Sequence, residues 1–162
     1  MAELDPRRFR TLCSSFATGV TVVSTRDAAG RPAGLTVNSF TSVSLRPPLI
    51  SVNIDREASL HGAIVGAAEF AVNVLRREQE PVSRLFAGED RSVAPPTLWA
   101  PEPGDRCPIL AHTLATFWCR HHTAIPMGDH TILVGELIAG ERHPEGDPLL
   151  FFQGRYHGAD HR

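Results

Sequence analysis

The feature that most constrains the fold is the stretch from Gly34 to Asp55, GLTVNSFTSVSLRPPLISVNID, where apolar residues alternate with hydroxyl and amide side chains and few charges intervene. A period of two marks extended chain with two unlike faces. Pro47-Pro48 divides the stretch into two strand segments, because proline brings no N–H to a ladder. In the first segment Leu35, Val37, Val43 and Leu45 fall on one face, and Thr36, Asn38, Ser42 and Ser44 on the other. Between them the alternation slips: Ser39 and Thr41 land on the apolar face and Phe40 on the polar one. A bulge near Asn38 to Phe40, which would re-aim the side chains, accounts for the slip. In the second segment Ile50, Val52 and Ile54 oppose Ser51 and Asn53. A neutral wall of donors and acceptors suits a planar heterocycle. It also describes a half-solvated sheet face, and periodicity alone favours that plainer reading.

The rest of the chain adds strands without regular helical crossovers. Asp5-Pro6 is a helix start, Asp as N-cap and Pro at the first turn. Phe9, Leu12, Cys13 and Phe16 follow helical spacing, predicting an amphipathic helix over about 6–17. Val20 to Thr25 is a β-branched strand, and residues 27–32 form a hairpin turn leading into the Gly34 stretch. Ser59 can cap a helix reaching Gly66, with Leu60, Ile64 and Val65 inward; its N-terminus, with Arg56 upstream, is a candidate anion site. A capping serine and a solvated arginine account for the same residues. Residues 69–75 form a strand in which Asn73 needs a hydrogen-bond partner. Pro81 to Gly88 is a short helix, 89–108 a long surface loop in which Trp99 is either a contact residue or a cover for the core. Leu110 to Thr123 reads as a long strand, then come a Gly128-Asp129-His130 turn, a strand over 131–138 and a last strand over 149–152. His121 and His122 are adjacent on a strand and point to opposite faces, so they do not chelate together. Six to seven strands in this order predict a mainly β fold, an antiparallel Greek-key sheet closed into a barrel with short peripheral helices.

Composition narrows the function classes. With 162 residues and 17.7 kDa the chain fits one domain over 1–162, and 42% hydrophobic against 21% charged residues argues for a packed globule. The net charge of −2 advertises neither nucleic acid nor an anionic membrane. All cationic side chains are Arg, which excludes a Schiff-base or Walker-type lysine. Cys13, Cys107 and Cys119 show no CxxC spacing, so neither a zinc ribbon nor a disulfide framework is expected, and a reducing, cytoplasmic setting is the natural one. No stretch approaches the apolar length of a membrane helix. Neither GxGxxG nor a P-loop is present.

Gly-x-Thr-x-Asn-Ser-Phe-x-Ser-Val-Ser-Leu-x-Pro-Pro-Leu within residues 34–49 resembles the signature of the flavin reductase-like family. These are small NAD(P)H:flavin reductases that serve two-component monooxygenases. Four further segments match in order and spacing: Phe16 to Val23; Phe70 to Leu75 with Phe86-Ala87; Gly128-Asp129-His130 with Val134-Gly135; and Pro148 to Phe152 leading to Tyr156. The resemblance implies an FMN-binding split β-barrel, FMN or FAD with NADH or NADPH, a homodimer, and a flavin-dependent monooxygenase as recipient of reduced flavin. It places the isoalloxazine ring against Pro32, Gly34, Leu35, Thr36, Asn38 and Ser39, with Asn53, Ile54 and Asp55 along the ribityl chain. Arg56, Ser59 and Leu60 would meet the phosphate, and Arg84 and Phe86 would close over it. His130 would sit near the nicotinamide, orienting it or protonating reduced flavin; a turn histidine bonded to nearby backbone is the alternative. Phe151, Phe152, Gln153 and Tyr156 would border the pyridine nucleotide. Asp90 to Pro103 departs from the family pattern, and the segment from Arg56 to His61 varies within it. Two rivals share the fold: a flavin or heme carrier without turnover, and an oxidase like the pyridoxamine phosphate oxidases, for which the expected basic residues are not evident.

Overall fold

A computed structural model describes residues 5–88, 94–101 and 106–158. Helix α1 (Pro6–Cys13) opens as its sequence dictates, with Asp5 Oδ1 accepting the Arg7 N–H at 3.0 Å. It ends at Cys13, short of the expected 17, where the Ser14 hydroxyl turns back to donate to the Thr11 carbonyl at 2.8 Å. No residue of α1 is buried, and Phe9, Leu12 and, just beyond, Phe16 are exposed.

The strands are β1 (Thr18–Gly19), β2 (Thr21–Arg26), β3 (Pro32–Val37), β4 (Thr41–Leu45), β5 (Pro48–Asp55), β6 (Glu69–Val74), β7 (Ala115–Met127), β8 (His130–Arg142), β9 (Leu149–Phe152) and β10 (Arg155–Gly158). Helices α2 (His61–Gly66) and α3 (Glu80–Ala87) flank β6 in sequence. One antiparallel sheet runs β3-β2-β6-β7-β8-β5-β4, and a small one runs β1-β9-β10. There are more strands than the sequence predicts. The surplus comes from β1, from the final hairpin, and from a division of the first half of the Gly34 stretch into β3 and β4.

That division determines the shape. β3 and β4 are consecutive in the chain yet form opposite edges of the large sheet. Residues 38–40 alone link them, a reach of about 14 Å at most. In a flat seven-stranded sheet those edges would lie about 29 Å apart. The sheet must therefore curl until its edges face each other, and since β3 does not pair with β4 the barrel remains split instead of closed. The slip in alternation at Asn38 to Phe40 is thus a change of edge, not a bulge. A true register shift lies further on, between Ser42 and Ser44. It leaves Val43 and Leu45 exposed, contrary to their expected place on the inner face.

Two large apolar clusters and a small one of Ala71, Ile109 and Trp118 fill the interior. Of the large two, one holds Val23, Val52, Ile54, Ile64, Phe70, Val72 and Leu133, the other Val20, Val22, Leu75, Phe86, Leu110 and Leu149. Gly135 lets β8 pass Phe70 and Cys119, where a Cβ would stand 2.5 and 2.7 Å from their atoms. Asn73 is fully buried and finds the partners its setting demands: Nδ2 donates to the Val22 carbonyl and to Ser24 Oγ, both at 2.9 Å, and Oδ1 accepts the Leu110 N–H at 3.0 Å.

Two boundaries move for local reasons. Asp55 captures the next amides, its Oδ1 taking Glu57 N–H at 2.9 Å and its carbonyl Ala58 N–H at 3.1 Å. The chain turns there, and α2 begins only at His61, with Leu60 and not Ser59 at the N-cap position. The strand expected from Leu110 starts at Ala115, because His112 adopts φ 61° and breaks the extended run. Trp99 packs on Phe86 with ring centroids 5.6 Å apart, so it covers the core; residues 89–93 and 102–105 of its loop lie outside the described ones.

Candidate functional site

A groove of about 1000 Å³ opens where the split lies, between the crossing segment and the chain that follows α1. Its residues come chiefly from Arg10 to Gly19, Asn38 to Thr41, Asn53 with Ala115 and Phe117, and Phe151 with Gly154, with Thr21 and Val74 completing the lining. Pairing of Thr18 with Phe151 brings the first and last of these together, and the Gln153 N–H donates to the Ser14 carbonyl at 3.0 Å to fix them. A smaller cavity of about 180 Å³ adjoins it, lined by Val20, Thr36, Val37, Asn38, Phe151 and Tyr156.

The walls are largely aromatic, and the polar groups apart from Arg10 are neutral. Phe40 and Phe117 meet at 5.1 Å between centroids, and Phe151 and Tyr156 at 5.3 Å. The side chains of Asn38 and Asn53 are in exposed residues and have no hydrogen-bond partner among the described residues. The Oγ1 of Thr18 is buried in the groove lining with no partner among the described residues. Ser39 differs: its Oγ accepts the Asn53 N–H at 2.9 Å and donates to the Asn53 carbonyl at 3.2 Å. Arg10 supplies positive charge in this lining.

His130 opens β8 directly opposite Asp55, about 7 Å along β5 from Asn53. Gly128, at φ 61°, supplies the tight turn before it. His130 Nδ1 lies 2.7 Å from Asp129 Oδ1, which makes the histidine the donor through Nδ1–H and leaves Nε2 as the ring's other hydrogen-bonding atom. The hydrogen bond and charge of His130, with Arg10 adding to them, hold the Asp129 carboxyl below its ordinary range. Arg56 is tied to the same turn, its N–H donating to the Asp129 carbonyl at 3.0 Å and its Nη1 reaching the Gly128 carbonyl at 3.5 Å.

The structure gathers Asn38, Ser39, Asn53 and Phe151 in the groove, Thr36 in the adjoining cavity, and Asp55, Arg56 and His130 at the β7–β8 turn. Other expected contacts belong elsewhere. Phe86 is fully buried between Gly34 and Trp99, so it is a core residue and cannot close over a phosphate. Gly34 is itself buried because a Cβ there would stand 2.8 Å from Val22 Cγ1, and the side chains of Leu35 and Ile54 are core. Pro32 pairs with Arg26 at the far end of β3, about 17 Å from Val37. Arg84 does not join Arg56: its guanidinium lies 4.8 Å from the Tyr156 ring centroid and 2.7 Å from Glu80. Phe152 faces the His157 ring at 6.1 Å, and Gln153 is exposed in the β9–β10 turn at φ 49°. Arg10, Thr18, Phe40 and Phe117 also line the groove, a role the sequence does not predict for them. The displacement of Phe40 onto a polar face was the signal that could have found it.

A second depression, about 700 Å³, lies among Thr25 to Ala28, the small residues of α2 and Cys107. Burial pushes the Cys107 thiol up to about 12, and the Cys119 thiol likewise. No group of three or more His, Cys, Asp or Glu that could hold a metal occurs among the described residues.

Residues 13–160 match the model of the flavin reductase-like domain. The chain belongs to the flavin reductase-like family. It is 41% identical over 152 residues to the FMN reductase (NADH) SmoA of Agrobacterium fabrum, covering 94% of this chain and 85% of that one. Among solved structures, BorF, the flavin reductase component of a bacterial two-component tryptophan halogenase, superposes with TM-score 0.87 at 40% identity, covering 98% of this chain and 100% of that one. The NADH:FAD oxidoreductase SgcE6 of Streptomyces globisporus, in complex with NAD and FAD fragments, superposes with TM-score 0.82 at 36% identity over 96% of each chain. Some relatives are longer. The chain spans 58% of the stachydrine N-demethylase reductase subunit Stc3 of Rhizobium meliloti, at 44% identity over 83% of its own length, and 44% of a probable flavin reductase of the same organism.

Proposed function

We propose that this member of the flavin reductase-like family is an NAD(P)H:flavin oxidoreductase that supplies reduced FMN or FAD to a flavin-dependent monooxygenase. The observation that carries the reading is the pair of unpartnered amides, Asn38 and Asn53, on the wall of a groove lined by Phe16, Phe40, Phe117 and Phe151. Its volume is at the upper end for a small-molecule site. Its donor set fits a flavin: neutral amides for the ring's heteroatom edge, aromatic walls for its faces, and the orphaned Thr18 hydroxyl for one further polar atom. A bound flavin supplies two-electron acceptor chemistry toward a dihydronicotinamide.

The chain itself binds, orients and shields. Asn38 and Asn53 fix the plane of the ligand, and the phenylalanines keep water from its faces. Thr36 and Tyr156 serve the adjoining cavity. Arg10 and Arg56 are the cations available to phosphate oxygens. His130, held by Asp129, borders the nicotinamide side. Phe9, Leu12, Phe16, Val43, Leu45, Ile125 and Met127 are all exposed, and β3 and β4 are open edges. A homodimer covers them. The chain's three free cysteines suit the reducing cytoplasm, and no helix among the described residues is long and apolar enough to cross a membrane.

The test is an assay of the purified protein with each pairing of FMN or FAD with NADH or NADPH. Nicotinamide oxidation that depends on added flavin is expected. Silence in all four pairings contradicts the proposal, and tight flavin binding without turnover would make the protein a carrier.

A further inference from the structure

Ser39 sits in the three-residue crossing, after β3 has ended and before β4 begins. β5 is paired along one side with β8 as far as Asp55. On its other side β4 accompanies it only to Ser51, opposite Thr41. Beyond that point the outward N–H and carbonyl of Asn53 have no strand to meet. One hydroxyl meets both, accepting at 2.9 Å and donating at 3.2 Å. Serine can do so because a hydroxyl is donor and acceptor at once.

We infer that Ser39 is a positioning residue, a clasp that closes the split at the groove and sets the Asn38 and Asn53 amides on one wall. The inference rests on the groove being the flavin site. Ser39 adjoins Asn38 in the chain and grips the backbone of Asn53, so a single side chain fixes where both amides originate. The hydroxyl's one proton is committed to the Asn53 carbonyl, so Ser39 acts on the ligand through its neighbours. Among the described residues no other side-chain hydrogen bond ties the crossing segment to β5. Loss of the clasp leaves the two asparagines in place chemically but frees the crossing to move.

The experiment compares wild type, Ser39→Ala and Ser39→Thr as full-length ¹⁵N-labelled protein. Backbone exchange at Asn53 is followed without flavin, and FMN affinity by fluorescence titration. In Ser39→Ala the Asn53 amide should exchange about tenfold faster and FMN bind about tenfold more weakly, the loss of one ordinary hydrogen bond's net worth. Ser39→Thr, which keeps the hydroxyl, should restore both. Unchanged Asn53 exchange in Ser39→Ala overturns the clasp. So does faster exchange with undiminished FMN affinity. An Asn53 amide that already exchanges freely in the wild type does the same, whether or not the alanine variant folds. Because the exchange arm needs no flavin, a wild type that binds neither FMN nor FAD sinks the groove reading separately.

Discussion

The three asparagines of this chain lie in two regions that treat the same side chain in opposite ways. Asn73, on β6 between β2 and β7, is sealed from water and has three hydrogen bonds to Val22, Ser24 and Leu110. Asn38 and Asn53, at the split, stand exposed with no such partners among the described residues. A buried amide must be satisfied from within, or its desolvation is left uncompensated. An amide at the split is satisfied from outside. The contrast separates a residue that holds the barrel from two residues free to meet the ligand proposed for the groove.

The largest expected effect is at the interior. Asn73→Ala strands the Leu110 N–H and opens a void, and should lower the unfolding free energy by about 3 kcal/mol in urea titrations. FMN affinity of the folded protein should not change. Equal loss of affinity would erase the distinction between the regions.

Next come the glycines. Gly135→Ala drives a methyl into Phe70 and Cys119 and should cost about 2 kcal/mol by the same titration. Gly19→Ala, on the groove side, meets nothing within 4 Å and should cost under about 0.5 kcal/mol. Comparable costs would mean that the groove is as tightly filled as the core.

Asn38→Ala and Asn53→Ala should each weaken FMN binding about tenfold while stability stays within about 0.5 kcal/mol. A stability loss approaching that of Asn73→Ala would show these amides to be structural.

From the sequence alone, the interior could be read more fully than the site. The run Val20 to Thr25 is a strand, and β2 is buried along both faces from Thr21 to Thr25. Asn73, placed among Val72 and Val74, announced its need for partners. The Gly34 stretch reads as strand material with a slip at Asn38 to Phe40, yet a slip in alternation looks the same for a bulge and for a crossing between sheet edges. Only the position of both edges tells them apart, and that is set by pairings remote in the chain, such as Leu49 to Asp55 with His130 to Glu136. Phe86 shows the same limit in reverse. It lies in a family motif near Arg84, but a helix presents residues two apart to different surroundings, so Arg84 is outside and Phe86 is core. Arg10 and Thr18 join the groove through pairing of β1 with β9, which no local pattern reveals.

The thiols give the smallest effect. Cys107 and Cys119, pushed up to about 12, remain protonated in the folded protein at pH 8, whereas Cys13 is exposed. A disulfide-exchange reagent should titrate Cys13 in the native state and the other two only after unfolding. Raised folded-state values mean that their contribution to stability is fully present below about pH 9 and declines as pH rises toward 12. Stability that climbs over that interval would contradict the assignment.

The most direct test follows the side-chain amide resonances of Asn38, Asn53 and Asn73 as FMN is titrated into ¹⁵N-labelled protein. The account predicts that the signals of Asn38 and Asn53 shift with saturation while that of Asn73 stays fixed. Stationary signals at Asn38 and Asn53, with shifts gathered instead around Thr25 to Asp27 and α2, would contradict it.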